Sequence, residues 1–144
     1  MQLTRFTDYA LRVLIHLCSQ PPGERVGLDF LAEHFNMNRH HLYKVSQRLS
    51  QLGWITSVRG KRGGVVLRED TRRLKLSDIV CELEETMAPI DCEGIDCPIA
   101  NHCKLQGVLD LAARAFQDVL AQYRLDDLRQ SDLQVIKKVF HSPA

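Results

Sequence analysis

Apolar residues recur at helical spacing from the start of the chain. Tyr9, Ala10, Val13, Leu14, Leu17 and Cys18 fall on one face, which predicts a helix over 7–19 that ends at Pro21-Pro22-Gly23. A second, shorter helix is expected over 28–35. Asn36-Met37-Asn38 then reads as a tight turn, with Asn38 a good N-cap for a third helix over 39–52. That helix carries Leu42, Val45, Leu49 and Leu52 on its apolar face, and Gly53 follows as the residue just past its end. The period then changes. Residues 54–59 and 65–68 are β-prone, and Gly60-Lys61-Arg62-Gly63-Gly64 joins them as a hairpin. Two helices across a three-residue turn, followed by a basic hairpin, make a winged helix-turn-helix.

The second half is helical again. A short helix is expected near 77–85. From Cys103 onward Leu105, Val108, Leu109, Ala112, Phe116, Val119, Leu120 and Tyr123 form one long stripe. So long a one-faced helix could cover its own domain. In a small protein it better suits pairing with a second copy, as repressors with this motif bind symmetric sites as dimers. Ser131 to Phe140 could add a last short helix. The expected architecture is mainly α. Residues 1–75 form the winged helix-turn-helix with its two-stranded β wing. Residues 76–103 form a short helix and a cysteine loop, and 104–144 a long C-terminal dimerisation helix with a tail.

Charge sharpens this division. The formal net charge is only +1. Residues 1–75, however, carry thirteen Lys/Arg against six Asp/Glu (net +7), and residues 76–144 carry six against twelve (net −6). The first half thus suits an anion such as a nucleic-acid backbone, although the two halves could simply attract each other. On the third helix Asn38, Arg39, His40, Tyr43, Lys44 and Gln47 lie off the apolar stripe. They are polar or long hydrogen-bonding side chains in its N-terminal half, where recognition helices meet base edges. Arg59, Lys61 and Arg62 stand among glycines that let the backbone approach phosphate or a minor groove. Double-stranded operator DNA is the expected partner.

A hydrophobic fraction of 44% can fill a core, which argues against disorder. Met1-Gln2-Leu3-Thr4 leads directly into the helical pattern with no signal-peptide segment, and no apolar run nears the roughly 20 residues of a membrane span. A cytoplasmic protein without a membrane anchor is expected, a setting in which structural disulfides are rare. Three of the five cysteines, Cys92, Cys97 and Cys103, fall within twelve residues. Gathered thiolates are soft donors that select zinc, copper(I) or iron–sulfur clusters. Their C-x4-C-x5-C spacing is neither the C-x2-C pair of common zinc knuckles nor either common ferredoxin run. Three thiolates leave one tetrahedral position open. His102, Asp91, Glu93, Asp96 or a residue from elsewhere could fill it. Cys18 reads as a core residue and Cys81 as a cysteine without a partner. No Ser/His/Asp or paired-carboxylate arrangement is present, so the chain does not read as an enzyme.

The opening Met-Gln-Leu-Thr-Arg-Phe-Thr-Asp-Tyr-Ala-Leu-Arg, the wing Val-Arg-Gly-Lys-Arg-Gly-Gly-Val-Val-Leu and the cysteine trio together resemble the winged-helix iron–sulfur regulator family that includes IscR, and within it the nitric-oxide-sensing repressors. The resemblance covers nearly the whole chain. It implies a homodimer with one cluster per subunit, which releases operator DNA on meeting nitric oxide and so derepresses nitric-oxide detoxification genes. It implies that Cys92, Cys97 and Cys103 are the cluster ligands. Asp8 matches the aspartate that completes the cluster from the other subunit; by itself it reads as a carboxylate in a helix first turn. The resemblance leans toward a 4Fe–4S cluster, though three thiolates and a carboxylate could hold 2Fe–2S. IscR-like members carry a histidine three residues after the third cysteine, where this chain has Gln106. Competing readings are an IscR-like regulator, a thiol redox repressor without metal, and a zinc-dependent enzyme or cluster carrier. The last leaves the basic helix face unexplained.

Overall fold

The computed structural model describes residues 2–60, 63–92, 94, 97–99 and 102–129. Five α-helices and one two-stranded antiparallel sheet form a mainly α winged helix-turn-helix with a long C-terminal helix. The order is α1 (Arg5–Ser19), α2 (Leu28–His34), α3 (Arg39–Gln51), β1 (Ile55–Val58), β2 (Gly64–Leu67), α4 (Leu76–Leu83) and α5 (Lys104–Leu120). Short 3-10 turns occupy Glu69–Arg73 and Leu125–Leu128. The expected helix at 131–140 lies outside the described residues.

The first helix begins two residues earlier than its apolar pattern predicts, because Thr4 caps it. The Thr4 hydroxyl accepts from the Thr7 amide at 3.3 Å. The turn between α2 and α3 rests on Asn36, whose φ is +51°, a conformation Asn tolerates better than most residues. The Asn36 amide bonds to the Glu33 carbonyl and the Met37 amide to the Ala32 carbonyl, which pairs the orphan carbonyls of α2 in a Schellman motif. Asn38 then caps α3 as expected, its Oδ1 accepting from the His41 amide at 3.0 Å. Gly53 ends α3 at φ +72° by a second Schellman motif, with bonds to Ser50 and from Trp54 to Leu49.

The wing pairs Ile55 with Leu67 and Val58 with Gly64. Its second strand starts one residue before its expected position, since it also bridges Val26 on the other side: Val26 and Val65 exchange hydrogen bonds of 3.0 and 2.8 Å. Gly64 permits that approach, as a Cβ there would stand 2.5 Å from the Val26 carbonyl oxygen.

The core gathers around α1. Ala10, Val13, Leu14 and Cys18 are fully buried, with Leu31 of α2, Val45 and Leu49 of α3, Ile79 of α4 and Leu125 of the last 3-10 turn. Each large aliphatic side chain buried there contributes roughly 1.5–3 kcal/mol relative to exposure. The end of α1 is closed by Arg72, a nearly buried residue whose role its sequence context does not signal. Its Nη1 donates to the Cys18 carbonyl at 2.6 Å and its Nη2 to the Gln20 carbonyl at 3.2 Å, a cation on the negative end of the helix. Glu69 at 3.1 Å and Asp126 at 3.6 Å neutralise it.

The fourth helix is shorter than the expected 77–85, since Glu84 is already extended. The fifth stops at Leu120, before Tyr123. The chain then turns back: the Leu76 amide bonds to the Tyr123 carbonyl and the Leu125 amide to the Leu74 carbonyl, which seats Leu125 in the core.

Candidate nucleic-acid interface and cysteine site

The third helix and the wing frame an open groove. His40, Tyr43, Lys44 and Gln47 line its helical side, and Ser57, Val58 and Gly60 its wing side. These four are thus free of the core, as the apolar stripe implies. Tyr43 is 53% exposed. Serines join them unannounced: Ser50 and Ser57 share a 2.9 Å hydrogen bond across the groove floor, tying helix to wing.

Asn38 and Arg39 have prior commitments. Asn38 spends its side chain on the cap, and its amide donates to the Tyr9 hydroxyl at 3.3 Å, which locks the start of α3 to α1. Arg39 donates to Glu33 at 2.9 Å and lies 3.6 Å from Asp29, both on α2. Arg59 is exposed at the wing edge. Lys61 and Arg62 lie outside the described residues.

The third helix is braced on two flanks. His41 packs on Tyr9 and Phe6 of α1, with ring centroids 5.0 and 6.0 Å apart. Arg48 pairs with Glu82 of α4 at 2.8 Å. Just beyond α4, Glu84 accepts from the Thr4 amide at 2.8 Å and from the Thr4 hydroxyl at 3.0 Å. The segment that enters the cysteine loop is therefore tied both to the recognition helix and to the start of α1.

Cys92, Cys97 and Cys103 are free thiols, each half-buried. Cys103 is the N-cap residue of α5, and no side-chain hydrogen bond caps that helix. The Cys92 thiol is raised above its usual value, first by partial desolvation and then by the negative charges of Cys97, Cys103, Asp110 and Asp91. Cys97 and Cys103 thus each stand within electrostatic reach of Cys92. Asp110, two turns into α5, joins them from a helix that sequence reading assigned to dimerisation alone. Among the described residues, no three His, Cys, Asp or Glu side chains converge closely enough to hold a single metal ion. Glu93 and Asp96 lie outside the described residues, and His102 is exposed.

Asp8 lies on the flank of α1, 44% exposed at its side chain, with Arg12 as its partner at 2.9 Å. Cys18 differs from the loop thiols. It is fully buried, donates to Asp126 at 3.5 Å, and its pKa is pushed up to about 11, chiefly by burial. It is a protonated core residue, as expected. Cys81 is exposed.

Most of the apolar stripe on α5 is uncovered. Leu105, Val108 and Val119 of the stripe are 54–62% exposed, Leu111 outside it is 65% exposed, and within the helix only Ala113 is buried. No helix among the described residues is long and apolar enough to cross a membrane.

The chain matches the family model described as "Rrf2: Iron-dependent Transcriptional regulator" over residues 3–131. Solved structures share its fold. CymR (YrzC), the global cysteine regulator of Bacillus subtilis, is 24% identical, with a TM-score of 0.68 over 91% of this chain and 98% of its own. The oxidized form of Staphylococcus aureus CymR is 27% identical, with a TM-score of 0.69 over 88% and 94%. T. potens IscR is 20% identical, with a TM-score of 0.71 over 100% and 94%.

Proposed function

This chain belongs to the Rrf2 family of transcriptional regulators, which are not enzymes, and from that premise we propose that it is a homodimeric repressor of the NsrR type. It binds operator DNA through α3 and the wing and holds an iron–sulfur cluster on Cys92, Cys97 and Cys103, with Asp8 of the partner subunit as fourth ligand. The signal is nitric oxide, and the regulated genes serve nitric-oxide detoxification. The observation that carries this reading is the trio of free thiols, with Cys97 and Cys103 both in electrostatic reach of Cys92, in a loop whose approach is tied by Glu84 and Glu82 to the DNA-reading head.

When bound, the cluster supplies iron that reacts with nitric oxide. The protein's own part is mechanical. Asp8 stands on the helix whose next residue, Tyr9, receives the amide at the start of α3. A carboxylate is a weak donor to a soft centre beside three thiolates. Held at the cysteine loop, Asp8 fixes α1, and α1 fixes the two recognition helices at the spacing of the half-sites. Released, it returns to Arg12, and the heads lose register with the operator. This is a two-state element biased by a local ligand event. The uncovered stripe on α5 is the surface for the second subunit.

The first test is a UV-visible spectrum and iron and sulfide analysis of anaerobically purified protein. A brown protein with broad absorption and iron matched by sulfide is expected; a colourless protein with stoichiometric zinc would overturn the cluster. Asp8→Ala tests the coupling. The cluster should still assemble but be labile, and operator affinity should resemble that of cluster-free protein and barely respond to nitric oxide. Tight binding still released by nitric oxide would show that Asp8 is not the transmitting residue. Similarity to a CymR solved in an oxidized form favours a second reading, a metal-free thiol switch on the same loop. Gln106 stands against an IscR-like site.

A further inference from the structure

A second group of titratable residues lies between α1 and α2, in the helix-turn-helix itself. His16 of α1 is 7% exposed. Its ring meets Phe30, His34 and Phe35 with centroids 5.7, 5.4 and 5.8 Å away, the last two edge-on. His34 stacks in turn on Phe30 at 5.4 Å. This aromatic group joins Leu31 and Ala32 in seating α2, the shortest helix of the head, on α1.

Only the neutral ring of His16 fits there. Its Nε2 lies 3.3 Å from the Gln20 amide nitrogen, a donor, so in this arrangement Nε2 accepts and the ring proton is on Nδ1. A second proton would go to Nε2 and face another donor. Turning the Gln20 amide would relieve that clash, yet Nδ1 would still be buried with no hydrogen-bond partner. The charged groups around the ring are few. Glu24 and Arg25 line the small cleft beside it, on the loop before α2. One turn earlier on α1, Arg12 is paired with Asp8. On α2, Asp29 and Glu33 are engaged with Arg39 of α3, and His34 is the nearest titratable ring.

We propose that the His16–His34 contact is a pH-sensitive joint of the DNA-binding head, which loosens α2 from α1 on acidification and lowers operator affinity independently of the cysteine loop. A proton added to the His16 ring would be buried with no partner, which opposes the packed arrangement, and a charge on the neighbouring His34 ring adds repulsion. Since α2 leads into α3 through the tight turn at Asn36 and Met37, a displaced α2 misplaces the recognition helix. The sign follows from burial, which, with His34, holds the His16 pKa below its usual 6.5. The unfolded chain then binds the proton more readily. The stability due to neutral His16 is present above pH 6.5 and is lost as pH falls through the lowered folded value.

The test compares wild type, His16→Phe and His34→Gln by fluorescence anisotropy on operator DNA and by thermal unfolding without DNA, between about pH 7.5 and about pH 5.5. Wild-type affinity should fall severalfold over this range. His16→Phe should lose about twofold or less, and His34→Gln, which keeps the buried His16 ring, should lose less than wild type but more than His16→Phe; the falls in melting temperature should follow the same order. Every protein keeps the same cysteine loop, so acid loss of a bound cluster cancels in the comparison. If His16→Phe does not fold, His34→Gln still has to lose less affinity on acidification than wild type. The unfolding arm needs neither operator nor cluster, so its failure is separate from failure of the repressor reading. Equal acid losses in all three proteins, or none in wild type, would overturn the joint.

Discussion

Two amphipathic helices of similar length, α1 and α5, meet opposite fates. The apolar face of α1 vanishes into the head, with Ala10, Val13 and Leu14 at 0% exposure against neighbours from every element up to the wing. The apolar face of α5 stays open: Val108 and Leu111 are more than three-fifths exposed, and the helix touches the rest of the chain chiefly through α4 and Leu120. The same 3.6-residue periodicity thus marks two different things. In the head it marks a core the chain completes itself. On α5 it marks a surface that the chain leaves for another body, since contiguous exposed apolar area is uncommon on a monomer. The cysteine loop lies between the two, leading from α4 into α5.

The contrast breaks first at the cysteines. Cys92→Ala, Cys97→Ala and Cys103→Ala should each abolish cluster binding, because two remaining thiolates are too few soft donors to hold it. Cys18→Ala and Cys81→Ala should keep iron and sulfide at wild-type levels, although Cys18→Ala removes a buried thiol and some stability. Iron and sulfide analysis of the five variants checks this, and a full cluster in any of the first three would make that thiol structural.

Next come paired substitutions in the two helices. Leu14→Ala, in the closed face, should cost about 2–5 kcal/mol of folding stability, the range for an aliphatic truncation that leaves a cavity. Leu111→Glu, on the open face, should change the stability of the head by no more than about 0.5 kcal/mol, as for surface substitutions, yet shift the protein from dimer to monomer in sedimentation. A dimer that survives Leu111→Glu would move the interface elsewhere.

How much of this was legible in the sequence depends on the range of the forces involved. The helix-turn-helix was readable because its punctuation is local. Asn38 caps α3 and Gly53 ends it within four residues of the groups they satisfy. The bridge from Val26 to Val65 was not readable, because one extended residue with no alternating neighbours carries no period. Nor was Arg72, whose partners Cys18 and Gln20 lie more than fifty residues away and which looks like one more cation of a basic half. The thiol donors could be read from clustering alone. Asp8, proposed as the fourth ligand, entered only through resemblance, because a ligand supplied by a second subunit would leave no spacing in one chain. The α5 stripe was identified correctly as apolar, but its end was set three residues too late, since periodicity continues through Leu120 and Tyr123 while the backbone turns back to pair with α4's approach.

Within the head, the basic residues separate by effect. Arg59→Ala and Lys44→Ala should each weaken operator binding by roughly 1–3 kcal/mol if they reach base edges, with a loss common to all sequences if they reach phosphate. Anisotropy titrations on operator and scrambled DNA distinguish the two. No loss with Arg59→Ala would remove the wing from the interface.

The smallest effect should come from Arg39, although it sits in the first turn of α3, among the candidate DNA-contacting residues. Its guanidinium is already shared between Glu33 and Asp29, and those pairs are more than half exposed. Exposed ion pairs contribute about 0–1 kcal/mol, so Arg39→Ala should cost the fold little. On DNA it faces competition from its own acids, and its departure leaves those two carboxylates closer to phosphate with no cation between. Arg39→Ala should therefore reduce affinity modestly and leave sequence preference unchanged, with a salt slope only slightly shallower than wild type. Arg39→Ala combined with Glu33→Gln should recover part of the loss, because the double variant removes an unpaired negative charge from the DNA face. A large loss of specificity with Arg39→Ala would mean that Arg39 leaves Glu33 and Asp29 when DNA arrives and reads a base itself.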